Sequence, residues 1–205
     1  MTFDHNDHYH RLLTRQLPAG GRTALDVGCG TGRFARRLVA HGYRVDALDP
    51  DPATLAVAEA TGGGPRYRLA DAAEAELPPG HYDVISCLAS LHHMPFETLT
   101  RFREALAPGG RLLVLGCYDG VTPWDVVASP ANAVARLSVH VGERARGGGV
   151  RTAPPRPPVR QPEMRLPEVR REAARLLPGS EVRQLLYWRY LLTYTADTAD
   201  TADSR

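Results

Sequence analysis

Lysine is absent from this chain of 205 residues, since all 25 of its Lys and Arg positions are arginine. The absence excludes a phosphate-binding Walker loop, a protein-kinase phosphate anchor and a Schiff base with pyridoxal phosphate, because each of these sites requires a lysine. Isoleucine occurs only at Ile85, whereas alanine, arginine, glycine and proline are abundant. We attribute this skew to GC-rich codons, so an arginine-rich stretch is weak support for a phosphate site.

Cysteines, net charge and long apolar runs are also scarce. Cys29, Cys87 and Cys117 lie far apart without a Cys-x-x-Cys pair, so neither a zinc site nor a disulfide framework is predicted. The net charge of +2 does not indicate a polyanionic partner. No apolar stretch approaches the roughly 18 residues that cross a bilayer, and the polar first residues do not resemble a signal peptide. We therefore expect a cytoplasmic protein without a membrane segment.

Short β-rich runs alternate with helical stretches in the first half of the chain. The spacing of apolar residues predicts strands over 23–27, 43–48, 67–70, 81–89 and 111–117, and helices over 32–41, 52–61 and 96–107. Strands joined by helical crossovers form a parallel sheet that is covered on both faces. The pattern predicts an α/β fold whose ligands bind at the carboxyl ends of the strands.

A glycine-rich turn lies between the first predicted strand and the next helix. Gly28, Gly30 and Gly32 allow a sharp turn and let a ligand approach the main chain at a helix N-terminus. A dinucleotide-binding turn has its third glycine one position later, where this chain has Arg33, so the spacing disfavours NAD. Asp49 ends the second strand, where a carboxylate accepts hydrogen bonds from a ribose diol. Asp71 ends the third strand and is a candidate acceptor for an adenine amino group.

Five segments taken together resemble the class I S-adenosylmethionine (SAM)-dependent methyltransferases. They resemble in particular the small-molecule group typified by the ubiquinone/menaquinone-biosynthesis C-methyltransferases. The segments are LDVGCGTGRF, ALDPDP, RLADA, YDVISCLASLHHM and EALAPGGRLLVLG, which cover roughly half of the chain in family order. The resemblance implies a Rossmann-like, seven-stranded, mostly parallel sheet with an antiparallel last strand and helices on both faces.

The same resemblance implies SAM as the cofactor and assigns residues to it. The glycine loop would face the methionine part of SAM, with Asp26 orienting that loop. Asp49 would bind the ribose, Leu88 would lie below the sulfonium, and three residues would contact the adenine. The full set that the resemblance implies is Asp26, Gly28, Cys29, Gly30, Gly32, Asp49, Pro50, Asp71, Ala72 and Leu88.

Histidines provide the candidate catalytic residues. His92 and His93 follow the fourth strand at the ligand edge, and histidine has a suitable pKa for accepting a proton near neutrality. The alternative is that one of them packs in the core and the other is solvated, and of the two we favour His93 for a functional role. Tyr9 and His10 are further candidates if the N-terminal segment folds over SAM as a lid, as it does in many members of the family.

Other interpretations of these segments remain open. The N-terminal segment is either the lid or a frayed terminus. Its histidines lack the partners of a known zinc motif, and we predict no metal. Asp83 opens the fourth strand and is interpreted as a structural turn or cap residue. The sequence after the fourth strand lacks the Asn/Asp-Pro-Pro-aromatic run of base-modifying enzymes, so we do not expect a nucleic-acid substrate.

The domain organisation that follows is one methyltransferase domain over residues 1–195. Within it, residues 1–22 would form the lid-like segment, and 118–180 a variable substrate region with a flexible loop over 147–167. Helices are predicted over 124–146 and 168–177, a strand hairpin over 181–195 broken near Arg189, and a disordered tail over 196–205. The predicted function is methyl transfer from SAM to an oxygen, nitrogen or carbon of a small molecule. The alternatives are a non-catalytic SAM-binding module, an NAD(P)-dependent oxidoreductase and an RNA methyltransferase.

Overall fold

The structure, a computed structural model, describes residues 5–120 and 161–198 of the chain. The strands are β1 (Thr23–Val27), β2 (Arg44–Asp49), β3 (Arg66–Leu69), β4 (Tyr82–Leu88), β5 (Leu106–Cys117), β6 (Glu181–Leu185) and β7 (Arg189–Thr195). The helices are α1 (His5–Thr14), α2 (Arg33–Ala40), α3 (Pro52–Thr61), α4 (Thr98–Ala105) and α5 (Leu166–Leu176), with one 3-10 turn at Leu91–His93.

The strands form one seven-stranded sheet in the order β3-β2-β1-β4-β5-β7-β6. The first five strands in that order pair in parallel, and β7 lies antiparallel between β5 and β6. This arrangement confirms the predicted α/β fold with its mostly parallel sheet and antiparallel last strand. The strand order also brings the carboxyl ends of β1, β2 and β4 together at one edge, because β1 lies between the other two.

Helices cover both faces of the sheet, as the apolar spacing predicts. Apolar side chains of α4 and α5 pack in one core cluster with inward-facing residues of β4, β5 and β7. The other cluster joins α1, α2 and α3 to the opposite face. β1 is buried at four of its five positions, since it is covered on both faces. Such a central strand is a rigid support for the glycine loop that follows it.

The largest difference from the predicted elements is at the end of α4. The prediction continued this helix to Ala107, whereas the structure ends it at Ala105 and begins β5 at Leu106. The backbone turns extended at Leu106, with ψ of 135°, and Pro108 cannot continue a helix. The intervening residues form a bulge against β4, because Tyr82 pairs with Leu106 but Val84 pairs with Arg111.

The N-terminal segment is helical between residues 5 and 14 and packs on α2 and on the β6–β7 hairpin. Tyr9 is buried, and its hydroxyl donates to the carbonyl oxygen of Leu186 at 2.9 Å. The ring of His10 lies against Phe34 of α2, with ring centroids 4.9 Å apart. The segment is therefore fixed to the carboxyl-edge side of the fold through its contact with the hairpin turn.

Several predicted features fall outside the described residues. These are the helix over 124–146, most of the loop over 147–167, and the end of the tail beyond residue 198. The later helix is present as α5, and the hairpin is broken immediately before Arg189, as predicted. In the part of the chain that the structure describes, no helix is long and apolar enough to cross a membrane.

Asp83 has the structural role that its position in the sequence indicates. Its Oδ2 atom accepts hydrogen bonds from the backbone N–H groups of Arg22 and Thr23 at 2.7 and 2.9 Å, and from the Thr23 hydroxyl at 2.8 Å. Burial acts to raise the pKa of Asp83, but these hydrogen bonds outweigh it and hold the pKa below its ordinary value. The carboxylate therefore anchors the start of β1 to β4.

We expect Asp83→Ala to lower the free energy of unfolding by about 1–3 kcal/mol, because two backbone N–H groups lose their acceptor. The contribution of Asp83 is present at neutral pH and is lost as the pH falls through its lowered folded-state pKa. Urea unfolding at neutral and acidic pH measures both effects. Equal stability of variant and parent at neutral pH would show that water replaces the carboxylate. Ligand binding at the opposite edge of the sheet should be the same in the variant and in the parent.

Candidate functional site

The glycine loop adopts backbone conformations that favour glycine at three positions. Gly28, Gly30 and Gly32 have φ of +63°, +55° and +73°. A Cβ atom on Gly28 would lie 2.3 Å from Cβ of Ser90, whereas a Cβ on Gly30 would meet no atom within 4 Å. Gly28 is therefore required by protein packing, and Gly30 borders open space in which a ligand can lie against the backbone.

Asp49 joins this loop to the end of β2. Its carboxylate is 8 % exposed, and Oδ2 accepts the N–H of Gly30 at 2.7 Å while Oδ1 accepts the N–H of Asp51 at 3.0 Å. Each carboxylate oxygen has two lone pairs, so both retain capacity for a further donor. The geometry suits a vicinal diol, whose two hydroxyls can each donate to one oxygen.

Asp26 lies beneath the loop and is 2 % exposed. Its Oδ1 atom accepts the hydroxyl of Ser86 at 2.6 Å, and the carboxylate also accepts the backbone N–H of Ala35 in the first turn of α2. Gly32, the N-cap of α2, has no side chain for this purpose, so Asp26 caps the helix from β1. Burial raises the pKa of Asp26 to about 7, although both hydrogen bonds act to lower it.

A cavity of about 240 Å³ opens above these residues at the carboxyl edge. Its walls contain seven of the residues predicted from the sequence, namely Gly28, Gly30, Asp49, Pro50, Asp71, Ala72 and His93. They also contain five that the prediction missed, namely Asp51, Thr54, Ala70, Ser90 and Met94. The cavity therefore gathers glycine backbone and carboxylate acceptors from β1, β2 and β3 in one place.

Ser90 is the most informative of the missed residues. Its hydroxyl donates to the carbonyl oxygen of Val27 at 2.8 Å and so links the residue after β4 to the end of β1. Ala89, just before it, has a φ of +54°, which is a strained conformation for a residue with a Cβ atom. The only signal in the sequence was that Ser90 lies in the segment after β4, since the contact with Val27 depends on tertiary structure.

Four residues assigned to the cofactor are not among the walls of the cavity, namely Asp26 beneath the loop, Cys29, Gly32 and Leu88. Cys29 is buried, its N–H donates to the carbonyl oxygen of Leu48 at 2.9 Å, and burial raises the pKa of its thiol. Gly32 allows the ring of Tyr67 to pack against it, since a Cβ there would lie 2.2 Å from the tyrosine oxygen. Leu88 is partly buried and packs against the cluster that contains α2.

His92 and His93 face different cavities. His93 is exposed and borders the 240 Å³ cavity, whereas His92 borders a second cavity of about 290 Å³. The second cavity is lined mainly by apolar side chains from the 3-10 turn, β5, β7 and the start of α5. Met94 is part of both walls, so the two cavities are adjacent at this residue.

His92 is half-buried in the wall of the second cavity. Its Nδ1 atom is buried, and among the described residues it has no hydrogen-bond partner. Burial lowers the pKa of His92 to about 4, and the nearby His93 and Arg189 act in the same direction. The ring is therefore neutral at physiological pH.

Tyr9 and His10, the proposed lid residues, do not line either cavity. Both are buried against the hairpin turn and α2, where burial raises the pKa of Tyr9 to about 12. Their role next to SAM stays a prediction. In the described residues, no group of three or more His, Cys, Asp or Glu side chains is arranged to hold a metal ion.

Comparison with known proteins agrees with this geometry. The family described as "Methyltransferase domain" matches residues 25–114, which include the glycine loop, Asp49 and both histidines. An uncharacterized methyltransferase of Mycobacterium tuberculosis is 35 % identical over 201 residues, which cover 93 % of this chain and 95 % of the relative. The chain belongs to the class I SAM-dependent methyltransferases.

Two further relatives match a shorter part of this methyltransferase. The ubiquinone biosynthesis O-methyltransferase of Pseudomonas paraeruginosa is 35 % identical over 101 residues, or 46 % of this chain and 44 % of the relative. A SAM-dependent methyltransferase structure from Mesorhizobium loti has 32 % identity and a TM-score of 0.50, and the match covers 55 % of this chain and 56 % of that one. Both matches extend over only about half of the methyltransferase.

Proposed function

We propose that this methyltransferase holds SAM in the 240 Å³ cavity and a small-molecule acceptor in the 290 Å³ cavity. The observation that carries the proposal is that the two cavities are adjacent and share Met94 as a wall residue. A methyl group crossing that boundary would move from one cavity to the other without passing through water. Alignment of the reacting atoms and exclusion of water are the main contributions that a protein makes to such a transfer.

The residues of the first cavity fit SAM. Open space above Gly30 accommodates a ligand against the backbone, and the Asp49 carboxylate is placed to accept from a ribose diol. Asp71 and Ala72 border the same cavity from the end of β3, where an adenine would lie. When bound, SAM supplies an electrophilic methyl group on a sulfonium sulfur, which leaves with the bonding electron pair as the acceptor nucleophile takes the methyl.

His92 is the histidine that we propose contacts the acceptor, in place of His93. Its ring is neutral and borders the second cavity, so its unprotonated ring nitrogen can accept a proton from a hydroxyl or amine whose acidity rises as the methyl adds. A ring with a pKa near 4 is too weak a base to deprotonate a free alcohol beforehand. Its role is therefore to orient the acceptor and to take the proton as the new bond forms.

The resemblance to the ubiquinone/menaquinone C-methyltransferase group supports the proposal only for the part of the chain that would bind SAM. The matching ubiquinone relative is an O-methyltransferase, and the match covers less than half of either chain. The second cavity is bordered by Pro162, Glu163, Met164 and Val169, which lie outside the family match at residues 25–114. We accordingly propose a small-molecule acceptor and leave its nucleophilic atom open among oxygen, nitrogen and carbon.

The domain organisation predicted from the sequence is also part of the proposal. We propose a single domain over residues 1–195, with the acceptor half drawn from residues 118–180 and from the N-terminal segment of residues 1–22. Two observations support this division. Residues 162–164 and Val169 border the second cavity, and α1 packs on the hairpin turn at the same edge of the sheet.

Isothermal titration with SAM and with NAD, followed by a screen of metabolite extracts with methyl-labelled SAM, tests the function. We expect heat with SAM, little with NAD, and a labelled small-molecule product. Absence of SAM binding would contradict the proposal. SAM binding without methyl transfer to any extract would favour a non-catalytic SAM-binding module.

Asp49→Ala should weaken SAM binding by roughly 1–3 kcal/mol, because the ribose hydroxyls and the N–H of Gly30 lose their acceptor. Calorimetry measures the dissociation constant directly. Asp46→Ala is the matched control, since Asp46 lies on the same strand but pairs with Arg66 at 2.8 Å, away from the cavity. Equal SAM affinities for Asp49→Ala and the parent would exclude Asp49 from the ribose site.

A further inference from the structure

Arg189 lies at the start of β7, opposite Cys117 at the end of β5. It is half-buried, and among the residues that the structure describes it forms no ion pair. In the described part of the chain its guanidinium donates to the Sγ atom of Cys117, the residue opposite it in the sheet. A guanidinium that is partly withdrawn from water is unfavourable unless an anion pairs with it.

The position of Arg189 connects it to the second cavity. Cys117, which its Nη1 atom contacts, is part of that cavity's wall, and so is Tyr190, the next residue of β7. The guanidinium also lies within electrostatic range of His92, which borders the same cavity, and of Tyr9 in α1. The positive charge of Arg189 therefore lies beside a cavity whose walls are mainly apolar side chains but also contain Glu163.

The backbone at this point is held in a strained conformation. Tyr187 and Trp188, in the three-residue loop between the paired residues Leu185 and Arg189, have φ of +62° and +54°, in the left-handed region that favours glycine. The turn is retained by the hydrogen bond from Tyr9 to Leu186 and by burial of Tyr187. Strained backbone conformations are frequent at binding sites. Here the contacts that retain the turn also fix the backbone position of Arg189, the residue that follows it.

We propose that the methyl acceptor carries a carboxylate that pairs with Arg189 while its apolar part occupies the 290 Å³ cavity. Arginine suits this task because its planar fork binds a carboxylate through two parallel hydrogen bonds. The neutral ring of His92 adds a contact for a second polar group of the acceptor. This inference rests on the proposed function, since it names the class of molecule that the same site receives.

The first test is binding of a matched probe pair, benzoate and benzamide, to the full chain by saturation-transfer NMR. The two molecules have nearly the same shape and differ in charge, so we expect a clear preference for benzoate. Arg189→Gln should weaken benzoate binding roughly tenfold or more, the usual loss for a charged hydrogen-bonded pair. Arg183→Gln is the control, because Arg183 is an exposed arginine on the neighbouring strand of the same hairpin. Equal binding of the two probes, or an unchanged affinity in Arg189→Gln, would overturn the inference.

The second test uses methyl transfer and separates this inference from the proposed function. Extracts are divided by anion exchange at neutral pH, and each fraction is assayed with methyl-labelled SAM. Acceptor activity in the retained, anionic fraction, with a raised KM and unchanged SAM affinity in Arg189→Gln, would support the pairing. Activity confined to the unretained fraction would overturn it while leaving the methyltransferase function intact. If SAM itself does not bind, the proposed function fails, and the probe pair still decides the role of Arg189.

Discussion

Replacement of Gly28 by alanine is expected to lower the free energy of unfolding by about 2–4 kcal/mol, the sum of backbone strain and overpacking. The strain arises because φ is +63°, and the overpacking because the new Cβ would lie 2.3 Å from Cβ of Ser90. The Ser90 side chain cannot move away without losing its hydrogen bond to Val27. The same substitution should also weaken SAM binding, because it separates the end of β1 from the residue after β4.

Gly30→Ala provides the matched comparison. Its φ of +55° is nearly the same, but its Cβ would meet no protein atom within 4 Å. We therefore expect the free energy of unfolding to fall only by the cost of backbone strain, about 1 kcal/mol. The methyl group would instead occupy space that we assign to SAM, so Gly30→Ala should lose SAM affinity with little loss of stability.

Urea unfolding and calorimetry with SAM, applied to both variants, separate the two effects. Gly28→Ala should be the less stable protein. Gly30→Ala should lose SAM affinity while its free energy of unfolding changes little. If the two variants were equally stable, the contact between Gly28 and Ser90 would not constrain the loop. If Gly30→Ala bound SAM as the parent does, the open space above Gly30 would not belong to the cofactor.

The contrast between these glycines also shows what could be predicted from the sequence. All three glycines of the loop are identified by their pattern after a strand, and so is the cofactor class through the family resemblance. The elements with strong local signals are predicted with the same bounds that the structure has, as in β1 at Thr23–Val27 and α3 at Pro52–Thr61. The pattern does not distinguish a glycine that packs on protein from one that faces a ligand, because that difference depends on Ser90, which lies 62 positions later.

The acceptor side of the site could be predicted much less completely. His92 and His93 are adjacent in sequence, yet a single 3-10 turn directs them to different cavities, and the prediction favoured His93. Arg189 was noted only as the position where the hairpin breaks. In the described residues its guanidinium contacts Cys117, which lies opposite it in the pairing of β5 with β7. Sequence patterns record local periodicity and turn chemistry, and they do not record which side chains meet across a sheet.

Asp26 is expected to make the protein less stable as the pH rises from about 4 to about 7. Its carboxyl group has an ordinary pKa near 3.8 in the unfolded chain and a folded-state pKa of about 7, raised by burial. The folded state therefore binds more protons than the unfolded state within this window, so the free energy of unfolding falls as the pH rises and is level above it. The expected loss between about pH 5 and about pH 8 is on the order of 2–3 kcal/mol.

Asp26→Asn isolates this contribution because the amide can satisfy the same hydrogen-bonding groups. Its Oδ1 atom can accept the N–H of Ala35, and its NH₂ group can donate to Ser86, whose hydroxyl is already 3.3 Å from the carbonyl oxygen of Leu25. We expect the variant to be more stable than the parent near pH 8 and closer to it near pH 5. Urea unfolding of both proteins at the two pH values, with Asp83→Asn as a control carboxylate at the opposite edge, measures the difference.

A carboxylate that destabilises the fold at neutral pH is expected to serve the bound state. SAM carries a positive charge at its sulfonium sulfur, and a buried anion beneath the loop favours that charge across a medium of low dielectric. We therefore expect Asp26→Asn to bind SAM more weakly than the parent, roughly fivefold or more, even as its free energy of unfolding rises. A variant that gained stability and kept full SAM affinity would show that Asp26 only caps α2. If the free energy of unfolding of the variant depended on pH as that of the parent does, a group other than Asp26 would account for the pH dependence.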